Sequence, residues 1–275
     1  LLPLVFILYY AITAADGSFT FSNIAAIADP VHVKSILLSL KLGFLCTLFC
    51  LVLSYPLCMI LSTFRFRHQS FVVFLFILPM WMNFLLRTYS WMSILENNGL
   101  LNQLFQQIGL IDLYNQVAMH FASDPAAYVP IDHFQMIGTQ GAVVLGMVYN
   151  YLPFMILPIY SVLVKLDHSL IEAARDLGAS SVQVFRKVIL PLSLPGVLSG
   201  ITMVFVPSVS TFAISRLLGG GTQMMLGDLI EQQFLGGAYN PQLGAAIALV
   251  MMAIVVVCML VMNRFGDGEE QAVML

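Results

Sequence analysis

The stretch AVVLGMVYNYLPFMILPIYSVLV (Ala142–Val164) contains no charged side chain. A helix needs about 20 consecutive apolar residues to cross the hydrocarbon core of a bilayer, and this stretch is long enough. It lacks the alternation of apolar and polar residues that is typical of membrane-barrel strands. The stretch therefore predicts a membrane-spanning α-helix.

Four other uncharged windows come close to that length or exceed it: Leu42–Phe64, Gln69–Leu86, Leu192–Ser215 and Leu243–Met262. The apolar segment Leu1–Ala15 is shorter, and it lacks the basic region and cleavage site of a signal peptide. We interpret it as a shortened first span. The sequence thus predicts an all-α membrane protein with about six spans, forming a single transmembrane domain over residues 1–275.

Composition agrees with this interpretation. The chain is 60% hydrophobic and 9% charged, whereas an average soluble domain has about 25% charged residues. These charges are too few to cover a soluble surface, so we expect lipid to cover much of the chain. The net charge of −3 gives no indication of a nucleic-acid partner.

The distribution of basic residues predicts the orientation, because cytoplasmic segments of membrane proteins are enriched in Lys and Arg. With both termini in the cytoplasm, Lys34 is the only basic residue in an outer segment, while Lys41, Arg87 and Arg216 lie within or at the ends of spans. The cytoplasmic segments then hold Arg65, Arg67, Lys165, Arg175, Arg186, Lys187 and Arg264. This asymmetry favours a chain with its N-terminus and its C-terminus inside.

The four cysteines, Cys46, Cys50, Cys58 and Cys258, all lie in apolar runs. Cys46 and Cys50 share a helical face and could hold a metal ion. No histidine or carboxylate lies near them in sequence, which favours small apolar core residues instead. We expect neither a metal site nor a disulfide framework.

The cytoplasmic loop over residues 165–191 is polar, yet it has the pattern of two short helices. Asp167 or Ser169 can cap the first helix, and Leu170, Ala174 and Leu177 form its apolar stripe. Gly178 then stands where a helix end needs a left-handed residue.

The second helix of this loop is predicted to begin at a capping box, Ser180-Ser181-Val182-Gln183. Val182, Phe185 and Ile189 give it an apolar side, and Leu190-Pro191 should end it before the fifth span. Such a loop offers a docking surface to a soluble partner, or it is a connector that packs on the membrane face. Periodicity alone favours neither.

A family resemblance decides between the two. The sequence Glu172-Ala173-Ala174, followed by Gly178 and then by Leu190-Pro191, resembles the EAA motif of binding-protein-dependent ABC importers. The spacing agrees at every position, and only Val188 departs from the pattern, which has Ile there. The resemblance implies a type I importer permease. Its ATPase-coupling residues would be Glu172, Ala173, Ala174, Arg175, Gly178, Leu190 and Pro191.

The resemblance also implies two cytoplasmic ATPase subunits as partners. The chain has no G-x-x-x-x-G-K-[ST] phosphate loop. We therefore expect ATP and Mg²⁺ to bind to the partner, and this chain to be a transport subunit with no catalytic residues and no cofactor of its own.

Further stretches resemble the PotB-type permeases of spermidine/putrescine importers. They are residues 78–83, 87–89, 98–102, 172–180 and 233–235. The resemblance implies a polyamine pathway shared with a second, PotC-type permease. It also implies an extracytoplasmic polyamine-binding protein and a place in the bacterial inner membrane. A permease for another small solute, such as an anion or a metal chelate, is the alternative.

Acidic residues on the predicted outer side are compatible with a cationic cargo. They are Asp16, Asp29, Glu96, Asp112, Asp124, Asp132, Asp228 and Glu231. The positive-inside asymmetry alone would also leave an acidic outer face. Asp228 and Glu231 are the better candidates for the substrate pathway, because they stand three residues apart on one face of the helix-like segment Thr222–Leu235.

Three aromatic residues, Trp81, Tyr89 and Trp91, lie near the outer end of the predicted third span. Their ring faces could bind ammonium groups, or they could form an interfacial belt. The outer loop over residues 96–135 is longer than the family pattern, with the extra part near Phe121–His133. It could contact the binding protein or cover the spans.

Three other classes of protein fit the sequence less well. A secondary transporter would need ionisable residues near the bilayer midplane, and the middles of the uncharged windows hold none. A membrane enzyme would need His, Cys or carboxylate clusters at membrane depth, which the sequence also lacks. A structural or assembly protein would not need the full spacing of the EAA motif.

Overall fold

The computed structural model describes residues 2–14, 16–63, 69–121, 128–237 and 239–273. These residues form α-helices and the segments that connect them, and the helices run as follows: α1 Leu2–Ala11, α2 Ser22–Ala25, α3 Pro30–Thr63, α4 Gln69–Ile77, α5 Phe84–Leu95, α6 Leu100–Gln107, α7 Leu110–Phe121, α8 Gln140–Leu163, α9 His168–Asp176, α10 Ser181–Val184, α11 Leu190–Ser210, α12 Ala213–Leu218, α13 Leu226–Leu235 and α14 Pro241–Val273. The all-α prediction is confirmed.

Within the described ranges, four continuous helical stretches are long and apolar enough to cross a membrane: Pro30–Thr63, Gln140–Leu163, Ser181–Ser210 and Pro241–Met262. They correspond to four of the predicted windows. The second span begins earlier than predicted, because α3 starts at Pro30 instead of Leu42. The predicted first span is the short apolar helix α1, which packs against α14.

The predicted third span, Gln69–Leu86, is not one straight helix. A 3₁₀ turn over Leu78–Trp81 follows α4, and Met82 is extended. Asn83 then caps a new helix, with its Oδ1 accepting from the Leu85 N–H at 2.8 Å. The two parts of this broken span, Phe71–Trp81 and Phe84–Gln107, meet at 92°.

The centre of the fold is a bundle of α3, α8 and α11, which pack against one another. Close approach of α11 to α8 requires a glycine, because a Cβ at Gly196 would lie 2.8 Å from the Pro158 carbonyl oxygen. Small residues at such contacts are typical of membrane helices. Cys46, Cys50 and Cys58 are fully buried in this core, as predicted for apolar core residues.

A second, smaller core lies beside the first. It joins α1, α13 and α14 through Ala11, Leu226, Leu229 and Ala246, with Val209 of α11 against them. Because α13 packs on α14 and α12 packs on α5 and α8, these two short helices connect the end of α11 to the rest of the bundle.

Candidate functional site

The loop that carries the EAA motif begins with helix α9, capped by Asp167. The Asp167 carboxylate accepts from the Ser169 N–H at 2.9 Å, so Asp167 and not Ser169 is the cap. No residue of α9 is buried, and Glu172, Ala173 and Arg175 are all exposed. The helix therefore projects from the bundle as a free surface of this chain.

Helix α9 ends in the left-handed turn that the sequence predicts. Gly178 has φ +81°. Its N–H donates to Arg175 O at 2.8 Å, and the Ala179 N–H donates to Ala174 O at 3.0 Å. These two bonds are the pair of a Schellman motif, which fixes the direction of the chain after α9.

The capping box that follows is present in full. The Ser180 N–H donates to Gln183 Oε1 at 2.8 Å, and the Gln183 N–H donates to Ser180 Oγ at 3.4 Å. Only Ala179 separates the glycine from this cap. The turn between α9 and α10 is therefore held by hydrogen bonds on both sides.

The prediction that Leu190-Pro191 ends the second helix is wrong. A π-helical turn spans Phe185–Ile189, and the Leu190 N–H donates to Phe185 O, five residues back. This wider turn shifts the hydrogen-bond register just before Pro191, where an α-helix would lack a donor and clash with the ring. The helix consequently continues from Ser181 to Ser210.

The apolar residues of the loop divide into two groups. Val184 is buried, and Phe185 packs edge-on against Tyr55 of α3 with ring centroids 5.9 Å apart. In contrast, Leu177 is 89% exposed and Val182 is 73% exposed. The second helix is thus anchored to the bundle, while the turn itself presents apolar side chains outward.

Asp228, a predicted pathway residue, has a well-defined local environment at the start of α13. It is buried, and its Oδ2 accepts from the Ser215 hydroxyl at 2.7 Å and from the Met225 N–H at 2.8 Å. Burial raises the pKa of its carboxyl to about 6, against the lowering effect of these hydrogen bonds. The next N–H, of Leu226, donates to Ser39 Oγ of α3 at 2.7 Å.

Glu231, one turn further along α13, pairs with Arg216 of α12. The Glu231 side chain is 21% exposed and the Arg216 side chain is 64% exposed. Both residues line a pocket of about 190 Å³, together with Asp228, Gln223 and Gln232. The two predicted carboxylates therefore share one pocket, with a cation already beside one of them.

The three predicted aromatic residues are not equivalent. Trp81 is 81% exposed and Tyr89 is 47% exposed. Trp91 instead packs into the core, with its ring centroid 5.5 Å from that of Tyr149 on α8. Their assignment to a substrate pathway stays a prediction.

A buried cation stands near the break in the third span. Arg87 lies one turn after Asn83, and it is 8% exposed; its Nε and Nη1 have no hydrogen-bond partner among the described residues. Asn150 of α8 is also buried, with its Oδ1 unsatisfied. Ionisable residues in spans mark functional sites by default. The signal for this residue in the sequence is a charge directly at the end of the uncharged window Gln69–Leu86.

No group of three or more His, Cys, Asp or Glu side chains that could hold a metal ion occurs in the part of the chain that the structure describes. Among the predicted acidic residues, Asp124 lies outside the described residues, as do Arg65 and Arg67 of the predicted cytoplasmic set.

Comparison with known proteins identifies the family. The family described as "Binding-protein-dependent transport system inner membrane component" matches residues 2–268. The chain belongs to this family. It is therefore a multi-pass component of a transport system in the bacterial inner membrane, as the sequence predicted.

Individual relatives extend the likeness. The chain is 36% identical to the spermidine/putrescine transport system permease protein PotB of Escherichia coli K12, over 90% of this chain and 82% of that protein. It is 33% identical to the PotB of Haemophilus influenzae, over 93% and 86%.

Solved structures show the same fold. A bacterial ABC transporter that imports the acidic polysaccharide alginate matches with a TM-score of 0.75 at 15% identity, over 96% of this chain and 88% of that one. The methionine ABC transporter MetNI matches with a TM-score of 0.60 at 20% identity, over 88% and 99%. The predicted type I importer architecture is confirmed at the level of the fold.

Proposed function

We propose that this chain is the permease subunit of an ATP-driven importer of polyamines, spermidine or putrescine. The observation that carries the proposal is the 36% identity to PotB of Escherichia coli across 82% of that protein. The exposed EAA loop supports it, because this loop has the geometry of a docking surface. The chain itself supplies no ATPase chemistry.

We expect the ATPase subunits, two in the assembled importer, to dock on α9 and on the turn after it, and to hold the ATP and Mg²⁺. The exposed side chains of Leu177 and Val182 would supply the apolar contact, with Glu172 and Arg175 as its charged surroundings. Because exposed apolar groups are driven out of water, these positions favour a bound partner.

Coupling follows from the continuity of the helix that begins at Ser181. A displacement at the Gly178–Ser180 turn is carried along one helix as far as Ser210. The chain then turns at Thr211 and Phe212 into α12, which bears Ser215 and Arg216 next to the pocket. The proposed ATPase surface and the candidate cargo residues are thereby connected through one continuous helix and a two-residue turn.

A second permease, of the PotC type, and an extracytoplasmic polyamine-binding protein are the other proposed partners. Four continuous spans and one broken span are few for a sealed pathway, which favours pairing with a second permease. The match to a transporter solved "in complex with alginate pentasaccharide-bound periplasmic protein" supports a binding protein here too.

For the cargo, the proposed contacts are Asp228 and Glu231, with Trp81, Tyr89 and Trp91 as ring faces. An ammonium group that leaves water needs compensation, because an unpaired charge at the bilayer centre costs about 2.5–3.5 kcal/mol on insertion scales. A dication could displace the Arg216 guanidinium from Glu231, since Arg216 is largely exposed and free to move back into water.

One observation favours a second candidate, an importer of an anionic solute. Arg87 is a buried cation whose Nε and Nη1 have no acceptor among the described residues, which suits a carboxylate or phosphate better than an ammonium group.

Uptake in cells separates the two candidates. Cells that lack their own polyamine importers should accumulate radiolabelled spermidine when they express this permease with its neighbouring ATPase, second permease and binding protein. Excess unlabelled putrescine should compete, and sulfate or phosphate should not. Uptake of radiolabelled sulfate or phosphate, with no uptake of spermidine, would favour the second candidate.

A further inference from the structure

On helix α7, in the predicted outer loop, the side-chain amide of Asn115 faces the rest of the protein. Asn115 Nδ2 donates to Ile131 O at 2.9 Å, and its Oδ1 accepts from the Ile131 N–H at 3.0 Å and from the Tyr128 hydroxyl at 2.9 Å. Ile111, one turn earlier, is buried beside it. This inner face fastens α7 to the segment over residues 128–134.

Helix α6 is fastened to the same segment in the same way. Asn102 is 1% exposed; its Nδ2 donates to Phe134 O at 3.0 Å, and its Oδ1 accepts from the Phe134 N–H at 2.9 Å. The ring of Phe134 also touches Phe105 of α6 and Tyr114 of α7. The two short helices therefore form one unit, the outer hairpin, over Leu100–Phe121.

A set of large apolar side chains on the outer hairpin faces away from the protein. On α7 an apolar stripe of Leu110 (38%), Leu113 (56%), Val117 (49%) and Phe121 (81%) is exposed along the whole helix. With successive residues about 100° apart, these four fall within one narrow sector. On α6 the exposed apolar residues are Leu100 (68%) and Leu104 (49%), and Ile108 (63%) follows directly after the helix.

A third face of α7 is exposed and polar. Asp112, Gln116 and His120 follow one another at a spacing of four residues and form their own stripe beside the apolar one. Helix α7 thus has one face towards the protein, one apolar face and one polar face.

We infer that α7 lies in the membrane–water interface, with the stripe of Leu110, Leu113, Val117 and Phe121 in the lipid and the stripe of Asp112, Gln116 and His120 in water. A helix that contacts a protein, lipid and water at the same time needs one face for each, and α7 has three such faces. An interfacial helix buries its apolar face about 5–10 Å into the headgroup and acyl boundary. The inference does not depend on the identity of the cargo.

Two observations favour lipid over a protein partner. The outer hairpin overlaps the second part of the broken span, Phe84–Gln107, so α6 belongs to the same apolar segment as α5. In addition, Asp112 is the only Asp, Glu, Lys or Arg between Asn97 and Phe121. A surface that met a soluble protein through water would carry more charge than this.

Lipid quenching of a fluorophore on α7 tests the inference. Single cysteines at Leu113 and Val117 would be labelled with an environment-sensitive dye in a Cys258→Ala background, since Cys46, Cys50 and Cys58 are fully buried. Gln116→Cys is the matched control on the polar face of the same helix. Each variant is reconstituted as the assembled importer complex in vesicles whose lipids bear a quencher close to the headgroup.

The expected result is quenching of the Leu113→Cys and Val117→Cys labels at least about threefold stronger than that of the Gln116→Cys label. Aqueous iodide should show the reverse order. Equal access of iodide to all three labels would overturn the inference, because the stripe would then face water. Protection of the first two labels from both quenchers would also overturn it, because a protein partner would then cover the stripe.

Discussion

The hydroxyl of Ser215 on α12 donates a 2.7 Å hydrogen bond to Oδ2 of Asp228 on α13. The same oxygen accepts from the Met225 N–H, so one carboxylate both joins two helices and caps one of them. Asp228 therefore has a structural role whether or not it also meets the cargo.

Two substitutions at this position separate the structural role from a binding role. Asp228→Ala leaves the Met225 N–H without an acceptor, which costs about 1–3 kcal/mol for a buried group. The Ser215 hydroxyl then has only the Phe212 carbonyl oxygen as an acceptor, so the bond between α12 and α13 is lost. We expect less assembled complex in the membrane. Asp228→Asn keeps an oxygen acceptor and should assemble like wild type.

Uptake normalised to the amount of complex then measures the binding role. Asp228→Asn/Glu231→Gln should slow spermidine uptake, because it removes both carboxylates from the pocket. Uptake at the wild-type rate would remove these residues from the cargo pathway and leave Asp228 as a cap alone.

Stability should depend on pH through Asp228. Burial, with a smaller contribution from the Glu231 charge, raises the pKa of its carboxyl from 3.8 to about 6, against the lowering effects of its hydrogen bonds and of Arg216. The folded chain therefore binds this proton more tightly than the unfolded chain. The contribution of Asp228 to stability is greatest below about pH 4, falls as the pH rises, and levels off above about pH 6.

The measurement is the difference in melting temperature between wild type and Asp228→Asn across this range, in purified permease. We expect the wild type to lose stability relative to the variant as the pH rises from about 4 to about 6. A constant difference would mean that the carboxylate titrates at its ordinary pKa.

Gly178 provides a test of the EAA loop. A Cβ would meet no atom within 4 Å there, but φ is +81°, so Gly178→Ala acts through backbone strain alone, roughly 1–2 kcal/mol. We expect it to weaken the stimulation of ATP hydrolysis by solute while the permease still inserts. Gly178→Asn, which tolerates a left-handed conformation better, should retain more coupling.

Glu172→Ala should weaken coupling for a different reason, by removing a charge from the exposed face of α9. Normal solute-stimulated ATP turnover in both Gly178→Ala and Glu172→Ala would contradict the assignment of this loop as the docking surface.

Replacing the buried Arg87 with an apolar residue should raise the stability of the permease. Because its Nε and Nη1 have no acceptor among the described residues, Arg87→Met should stabilise the purified permease by at least about 1 kcal/mol, as followed by thermal unfolding. Arg87→Lys keeps the charge and should give no such gain. If Arg87→Met destabilises the chain, then the guanidinium has a partner within it.

Structural features that depend on residues close together along the chain were predicted correctly from the sequence. The turn at Gly178 and the capping box of Ser180 and Gln183 rest on contacts within a few residues, and both are present. The break in the third span was not predicted, because the absence of charged residues across Gln69–Leu86 outweighed the capping signal of Asn83. The stop expected at Leu190-Pro191 was missed, because a π-helical turn allowed the helix to continue past the proline.

Long-range partners could not be predicted from the sequence. Asp228 and Ser215 are 13 residues apart, and Ser39 and Leu226 are 187 apart. No local sequence pattern predicts either pair. For Asp228 and Glu231 the spacing correctly predicted a shared helix face. It did not predict that Asp228 would accept a hydrogen bond from Ser215 or that Glu231 would pair with Arg216.

The most direct test of the proposed function is ATP hydrolysis by the whole importer. The permease, its second permease, the ATPase and the binding protein would be reconstituted in proteoliposomes, and solutes would be added with the binding protein. The account predicts that spermidine or putrescine raises the rate of hydrolysis severalfold, and that Glu172→Ala lowers this stimulation. Stimulation by an anion or a sugar, and by no polyamine, would contradict the account.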